Sequence, residues 1–209
     1  MTRPGRAVGR PCQAGPMAKV VLLHHVHGLT DGVIAFADRL RRAGHTVHTP
    51  DLFDGHTFAE LAAGMAYEEE TVGWEGMQAR AHAAVEGLPA GLVYAGFSMG
   101  AVYDTVLVLE RPGALGAVLM ESCPDPADFG GWPAGVPVQV HGRDADPYFG
   151  AEGRANAEAV IALAGAGELF VYPGEQHLFA DASLPGYDPD QTALLVDRVL
   201  GFLGGLDRG

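Results

Sequence analysis

The chain has 209 residues, 48% of them hydrophobic and 19% charged, which is enough apolar content to bury the core of one globular domain and excludes disorder for the bulk of it. A formal charge of −13, with Lys19 the single lysine among 13 basic residues, excludes the basic face that nucleic acid or an anionic membrane requires. No apolar run approaches the roughly 20 residues of a membrane span, and Cys12 and Cys123, the two cysteines, have neither a disulfide-framework nor a zinc-knuckle spacing.

Residues 1–16 are rich in Arg, Gly and Pro, lack the apolar stretch of a signal peptide, and read as a flexible extension ahead of Met17. Residues 17–209 read as a single domain. A cytoplasmic location is the default expectation, with the molecule a monomer or a homodimer.

Lys19 to His24 is a short β-branched and apolar run, the mark of a buried strand. Past Gly28, Asp31 is placed to cap a helix whose apolar positions Val33, Ile34, Ala37 and Leu40 recur at three- and four-residue steps, up to Gly44. His45 to Thr49 reads as a second strand and Thr57 to Met65 as a short helix. Glu68, Glu69 and Glu70 read as a solvated helix end or loop, and Trp74 to Glu86 as a further helix.

Gly91 to Ala95 is a strand running into a tight turn and a helix that ends near Glu110, ahead of Pro112. Leu115 to Met120, Val136 to Val140 and Glu168 to Tyr172 are strand candidates, while Ala151 to Ala164 and Asp190 to Leu203 are helical. Regular alternation of strand and helix predicts an α/β fold, a mostly parallel sheet with helices on both faces.

The chemistry-bearing signal is Gly96-Phe97-Ser98-Met99-Gly100 at a strand-to-helix junction. A serine on such a turn is held above the sheet beside the start of the next helix, where the Met99 amide can bind a developing oxyanion. With 30 glycines and three serines in the chain, a chance Gly-x-Ser-x-Gly is expected only about 0.06 times. A neutral serine is a poor nucleophile and needs a base. His177 follows the last strand, where chain order in this class of fold places that base.

The orienting acid falls in His141 to Pro147, which offers Asp144 and Asp146. Asp146 is favoured over Asp144, which also suits a turn, and Asp125 and Asp128 are weaker alternatives. Ser98, Asp146, His177 is the nucleophile–acid–base order of α/β-hydrolases.

Val21 to Gly28, Phe36 to Leu40, Gly44-His45, Thr49 to Phe53, the serine turn, the His141 to Pro147 loop and Tyr172-Pro173-Gly174 before His177 together resemble the dienelactone hydrolase family. The resemblance spans residues 18 to 204. It implies an α/β-hydrolase fold without a large lid domain, hydrolysis of esters or lactones, no metal and no cofactor. It also implies the Val26 amide as second oxyanion donor. Where founding members carry a cysteine nucleophile, this chain has Ser98. Where they carry a glutamate after the first strand it has His25, and where an arginine follows the catalytic histidine by four residues it has Asp181. A neutral ester or thioester therefore suits this chain better than dienelactone.

His24, His25 and His27 do not make a metal site by spacing, since alternation puts only His25 and His27 on one face. His25, His27, Phe97 and Phe179 are the expected pocket residues. Trp74, Trp132, Phe129, Tyr148 and Phe149 fall in or near loops that border such a site, with ordinary packing as their alternative role. Cys123 reads as an inert buried thiol. The expected function is hydrolysis of a small-molecule carboxylic ester or lactone through an acyl-enzyme. Its competitors are a non-catalytic binding protein of the same fold, a metal-dependent hydrolase built on the histidine cluster, and a thioesterase or acyltransferase with the same three residues.

Overall fold

A computed structural model describes residues 17–206. Six parallel strands, β1 (Lys19–Leu23), β2 (Thr46–His48), β3 (Val93–Phe97), β4 (Gly116–Met120), β5 (Val138–Arg143) and β6 (Gly167–Tyr172), form one sheet in the order β2-β1-β3-β4-β5-β6. The direction of winding reverses between β1 and β3. In open α/β sheets the crevice at such a switch point, outside the carboxyl ends of the strands, is where ligands bind.

Alternation along the strands divides the core in two. Val20, Leu22, Val93, Ala95, Val118 and Met120 face α1 (Asp31–Arg42) and α6 (Pro189–Gly205). Val21, Leu23, Tyr94, Ala117, Leu119, Val138 and Val140 face α3 (Gly73–Val85), α4 (Met99–Glu110) and α5 (Gly150–Ala164). Both faces of the central strands are thereby covered, which is why β3, β4 and β5 are buried end to end and why β3 and β4 read as continuous apolar runs. Strand β6, at the sheet edge, is exposed at Gly167, Glu168 and Val171 and buried at Tyr172.

The structure moves several expected boundaries. Thr30 rather than Asp31 caps α1, its hydroxyl accepting the Val33 N–H at 3.2 Å, and Asp31 sits in the first turn where the helix dipole favours a negative charge. The helix expected from Thr57 begins only at Leu61, as α2 (Leu61–Ala66), because the Phe58 N–H and C=O are both bonded to His27. The acidic run expected as a loop or helix end lies in a π-helical stretch, Tyr67–Val72, which closes at Gly73 with φ +71°. Extra-wide helical turns of this kind recur at functional sites. A short 3₁₀ turn, Pro126–Phe129, was not expected.

Among the described residues no helix is long and apolar enough to cross a membrane.

Candidate active site

Strand β3 delivers Ser98 into a turn so tight that this non-glycine residue takes φ +49°. Its N–H donates to the Met120 carbonyl at 2.7 Å, tying the turn to β4. The flanking glycines are steric requirements. A Cβ on Gly96 would lie 2.2 Å from Asp104 Oδ2, and one on Gly100 would lie 2.5 Å from the Leu23 carbonyl oxygen of β1. Helix α4 begins at Met99, so its first amides point toward the serine end of the helix axis.

Ser98, His177 and Asp146 come together in a line. His177 Nε2 stands 2.9 Å from Ser98 Oγ, and His177 Nδ1 stands 2.7 Å from Asp146 Oδ2. An ionised carboxylate can only accept, so Nδ1 carries the proton and Nε2 is left to accept from the serine hydroxyl. Asp146 is buried, and its other oxygen accepts the Tyr148 N–H at 2.8 Å. Asp144 does not reach His177. It accepts the Gly174 N–H at 2.9 Å and so braces the loop that carries the histidine.

Ser98 and His177 open on a cavity of about 310 Å³, with Asp146 buried behind them. Val26 and Met99, the expected amide donors, line it together with Ser98 and His177. The remaining wall is Leu61, Met65, Glu68, Glu69, Trp74, Val102, Tyr103, Glu121, Ser122 and Tyr148. The ring of Tyr148 lies 4.7 Å from that of His177, and the Tyr103 hydroxyl donates to Glu68.

The four expected pocket residues, His25, His27, Phe97 and Phe179, are not part of that wall. Each is buried behind it. Phe97 packs edge-on against Phe36 in the α1–α6 half of the core, the side of the sheet to which its place on β3 directs it. Phe179 is covered by the Arg143 guanidinium at 4.4 Å from its ring centre. His25 Nε2 donates to Asp181 Oδ2 at 2.8 Å, while His25 Nδ1 accepts the His27 N–H at 3.3 Å. Burial pushes the His25 imidazole below its ordinary value. Burial also acts to raise Asp181, but hydrogen bonds from His25, Ser183 and Thr30 outweigh it and hold this carboxyl well below the usual range.

His24 turns to the other face, as alternation requires. Its Nε2 accepts the Leu52 N–H at 2.9 Å and its Nδ1 donates to the His25 carbonyl at 2.8 Å. Burial lowers it to about 4. With His27 Nδ1 bonded to the Phe58 carbonyl, each of the three rings has a protein partner. Among the described residues no three His, Cys, Asp or Glu side chains converge on a point where an ion would sit.

Of the loop aromatics, Trp74 and Tyr148 line the cavity, 46% and 54% exposed, whereas Trp132 and Phe149 are core. Phe129 lies beside Trp74, ring centres 6.1 Å apart. Asp125 caps the 3₁₀ turn by accepting the Ala127 N–H. Burial pushes the Cys123 thiol up to about 12, so it is protonated and inert.

The sequence reading passed over Glu121. It follows directly on β4 with φ +63°, is fully buried, and lines the cavity. One carboxylate oxygen accepts the Phe179 N–H at 2.7 Å and the other has no protein partner. Burial pushes it up to about 7. The available signal was positional, a charged residue closing the apolar run of the strand next to the serine strand.

The sequence profile of the dienelactone hydrolase family matches residues 6–206. No curated protein sequence matches the chain. Solved structures with the same fold include a dienelactone hydrolase-like promiscuous phosphotriesterase, P91, from metagenomic libraries, at 20% identity and TM-score 0.71, covering 92% of this chain and 87% of that one. A putative dienelactone hydrolase of Klebsiella pneumoniae has 17% identity and TM-score 0.65, covering 91% and 88%. Thermogutta terrifontis esterase 2, phosphonylated by cyclosarin, has 19% identity and TM-score 0.58, covering 97% and 88%. At these identities the likeness is one of fold, an α/β-hydrolase sheet with no large extra domain. With the family profile running along nearly its whole length, the chain belongs to the dienelactone hydrolase family.

Proposed function

We propose that this hydrolase-family protein is a serine hydrolase that cleaves a small carboxylic ester or lactone through an acyl-enzyme. The observation that carries the reading is the line from Asp146 Oδ2 through His177 to Ser98 Oγ, with contacts of 2.7 and 2.9 Å at the wall of a cavity. Ser98 Oγ attacks the carbonyl carbon as His177 Nε2 takes its proton, and Asp146 stabilises the imidazolium that forms. The Val26 and Met99 amides hold the oxyanion. Collapse breaks the carbon–oxygen bond to the leaving alcohol, which receives the proton from His177. Water, deprotonated by the same imidazole, then attacks the acyl carbon, and the acid is released as the bond to Ser98 Oγ breaks and His177 returns the proton to that oxygen. No cofactor enters these steps. Ester-type hydrolysis is also what the names of the esterase and the phosphotriesterase of like fold describe for those proteins.

The test is turnover of nitrophenyl acetate, nitrophenyl butyrate and valerolactone by wild type and Ser98→Ala. Wild type is expected to turn over at least one of them, and Ser98→Ala to lose turnover by about a thousandfold or more. Equal turnover by a folded Ser98→Ala variant would remove Ser98 as the nucleophile.

A further inference from the structure

The cavity has a charge pattern that selects its ligand. Three carboxylic side chains, Glu68, Glu69 and Glu121, line it and no lysine or arginine does. Behind its wall His25 and Asp181 are buried against one another at 2.8 Å, so neither presents a charge to the cavity. The side-chain charges of the wall therefore disfavour an anionic substrate group.

Glu121 shows that something more specific than a general negative field is present. It is fully buried, its backbone is pinned by donating its N–H to the His141 carbonyl at 2.6 Å, and its Oε1 is occupied by the Phe179 N–H. Oε2 is left without a protein partner, in a residue that lines the cavity. A buried, unsatisfied carboxylate oxygen costs about 1–3 kcal/mol, which a ligand bringing an N–H donor would recover. Across the same cavity Trp74, Tyr103 and Tyr148 offer aromatic rings, whose faces attract cations. Burial is the largest influence raising Glu121 to about 7, and a cation beside it would favour its ionised form.

We propose that the substrate carries a primary or secondary ammonium group, held by Glu121 and by Glu69 against the aromatic wall, while its ester carbonyl faces Ser98. This rests on the reading of the cavity as the hydrolase site. A neutral hydroxyl donor is the nearest competing ligand, and the experiment separates the two.

Four ethyl esters of matched chain length serve as substrates, with a terminal ammonium (aminohexanoate), hydroxyl (hydroxyhexanoate), methyl (heptanoate) or carboxylate (heptanedioate monoester). The same end groups on the alcohol side of acetates cover the other orientation. In at least one series kcat/KM is expected to be about tenfold or more higher for the ammonium ester than for the methyl ester, and lowest for the carboxylate. Glu69→Lys, at an exposed position, is expected to reverse the order of the ammonium and carboxylate esters, and Glu121→Gln to erase most of the ammonium preference.

Calorimetry on the Ser98→Ala variant with hexylammonium and hexanoate reads binding without chemistry, with binding expected for hexylammonium alone. Turnover of the methyl or hydroxyl ester equal to or better than that of the ammonium ester would overturn the proposal while leaving the hydrolase reading intact. If no ester is cleaved, the hydrolase reading is what fails. Absence of hexylammonium binding then overturns the ammonium site as well, whereas its binding supports the site on its own.

Discussion

His25 and Asp181, 156 positions apart in the chain, meet at 2.8 Å in the interior and join the segment after β1 to the segment before α6. Asp181 also accepts from the Thr30 hydroxyl at the start of α1 and from the N–H and hydroxyl of Ser183. Gly32 is forced by the same contact, since a Cβ there would lie 1.6 Å from Asp181 Oδ1. Removing the carboxylate leaves several buried donors unpaired at once. Asp181→Ala is therefore expected to lower stability by about 3 kcal/mol, read as a lower urea midpoint at unchanged slope. A loss under about 1 kcal/mol would mean that the network is dispensable.

Asp144 and Asp146 are two residues apart yet hold different positions. Asp146 touches His177 Nδ1, whereas Asp144 braces Gly174. Asp146→Asn replaces an acceptor by a group that favours the wrong imidazole tautomer, so kcat is expected to fall by about a thousand- to ten-thousandfold. Asp144→Asn keeps an oxygen for the Gly174 N–H and is expected to cost less than about tenfold. Steady-state kinetics on one ester compares them, and equal losses would deny Asp146 its distinct role.

The buried histidines give the fold an acid sensitivity whose sign is fixed. Burial lowers His24 to about 4 and His141 to about 3, against about 6.5 in an open chain. Between those values only the unfolded chain takes up the proton, so stability is present above pH 6.5 and falls as the pH drops toward 4. At pH 5 each histidine has removed about 2 kcal/mol. Glu121, raised to about 7, acts in the opposite direction, losing its contribution as the pH rises from about 4.5 to 7. Comparing wild type with His141→Gln cancels that term. The loss of unfolding free energy from pH 7 to pH 5 is expected to be about 2 kcal/mol smaller in the variant. An equal loss in both would mean that His141 is protonated in the folded state.

The alternating strand and helix pattern was legible because buried parallel strands leave continuous apolar runs, and β3 and β4 are of that kind. The turn at Ser98 was legible because two glycines at fixed spacing answer a steric need. The meeting of Ser98, Asp146 and His177 follows from the order of their loops at the carboxyl ends of β3, β5 and β6.

The cavity wall was far less legible. Phe97 and Phe179 lie next to Ser98 and His177 in sequence, but side-chain alternation and the turn at Leu178, with φ +59°, direct them into the core. His25 was misplaced because its partner, Asp181, is distant in the chain. Glu68 and Glu69 reach the cavity only through the π-helical stretch, which shifts the phase of the helix and leaves no mark in an acidic run.

The most direct test of the central claim is covalent labelling with a fluorophosphonate probe, read by peptide mass spectrometry on wild type, Ser98→Ala and His177→Ala. Stoichiometric labelling at Ser98 in wild type, lost in both variants, is the expected result, because only a serine activated by His177 attacks the probe at a useful rate. Folded wild-type protein that stays unlabelled, or that is labelled equally well without His177, would contradict it.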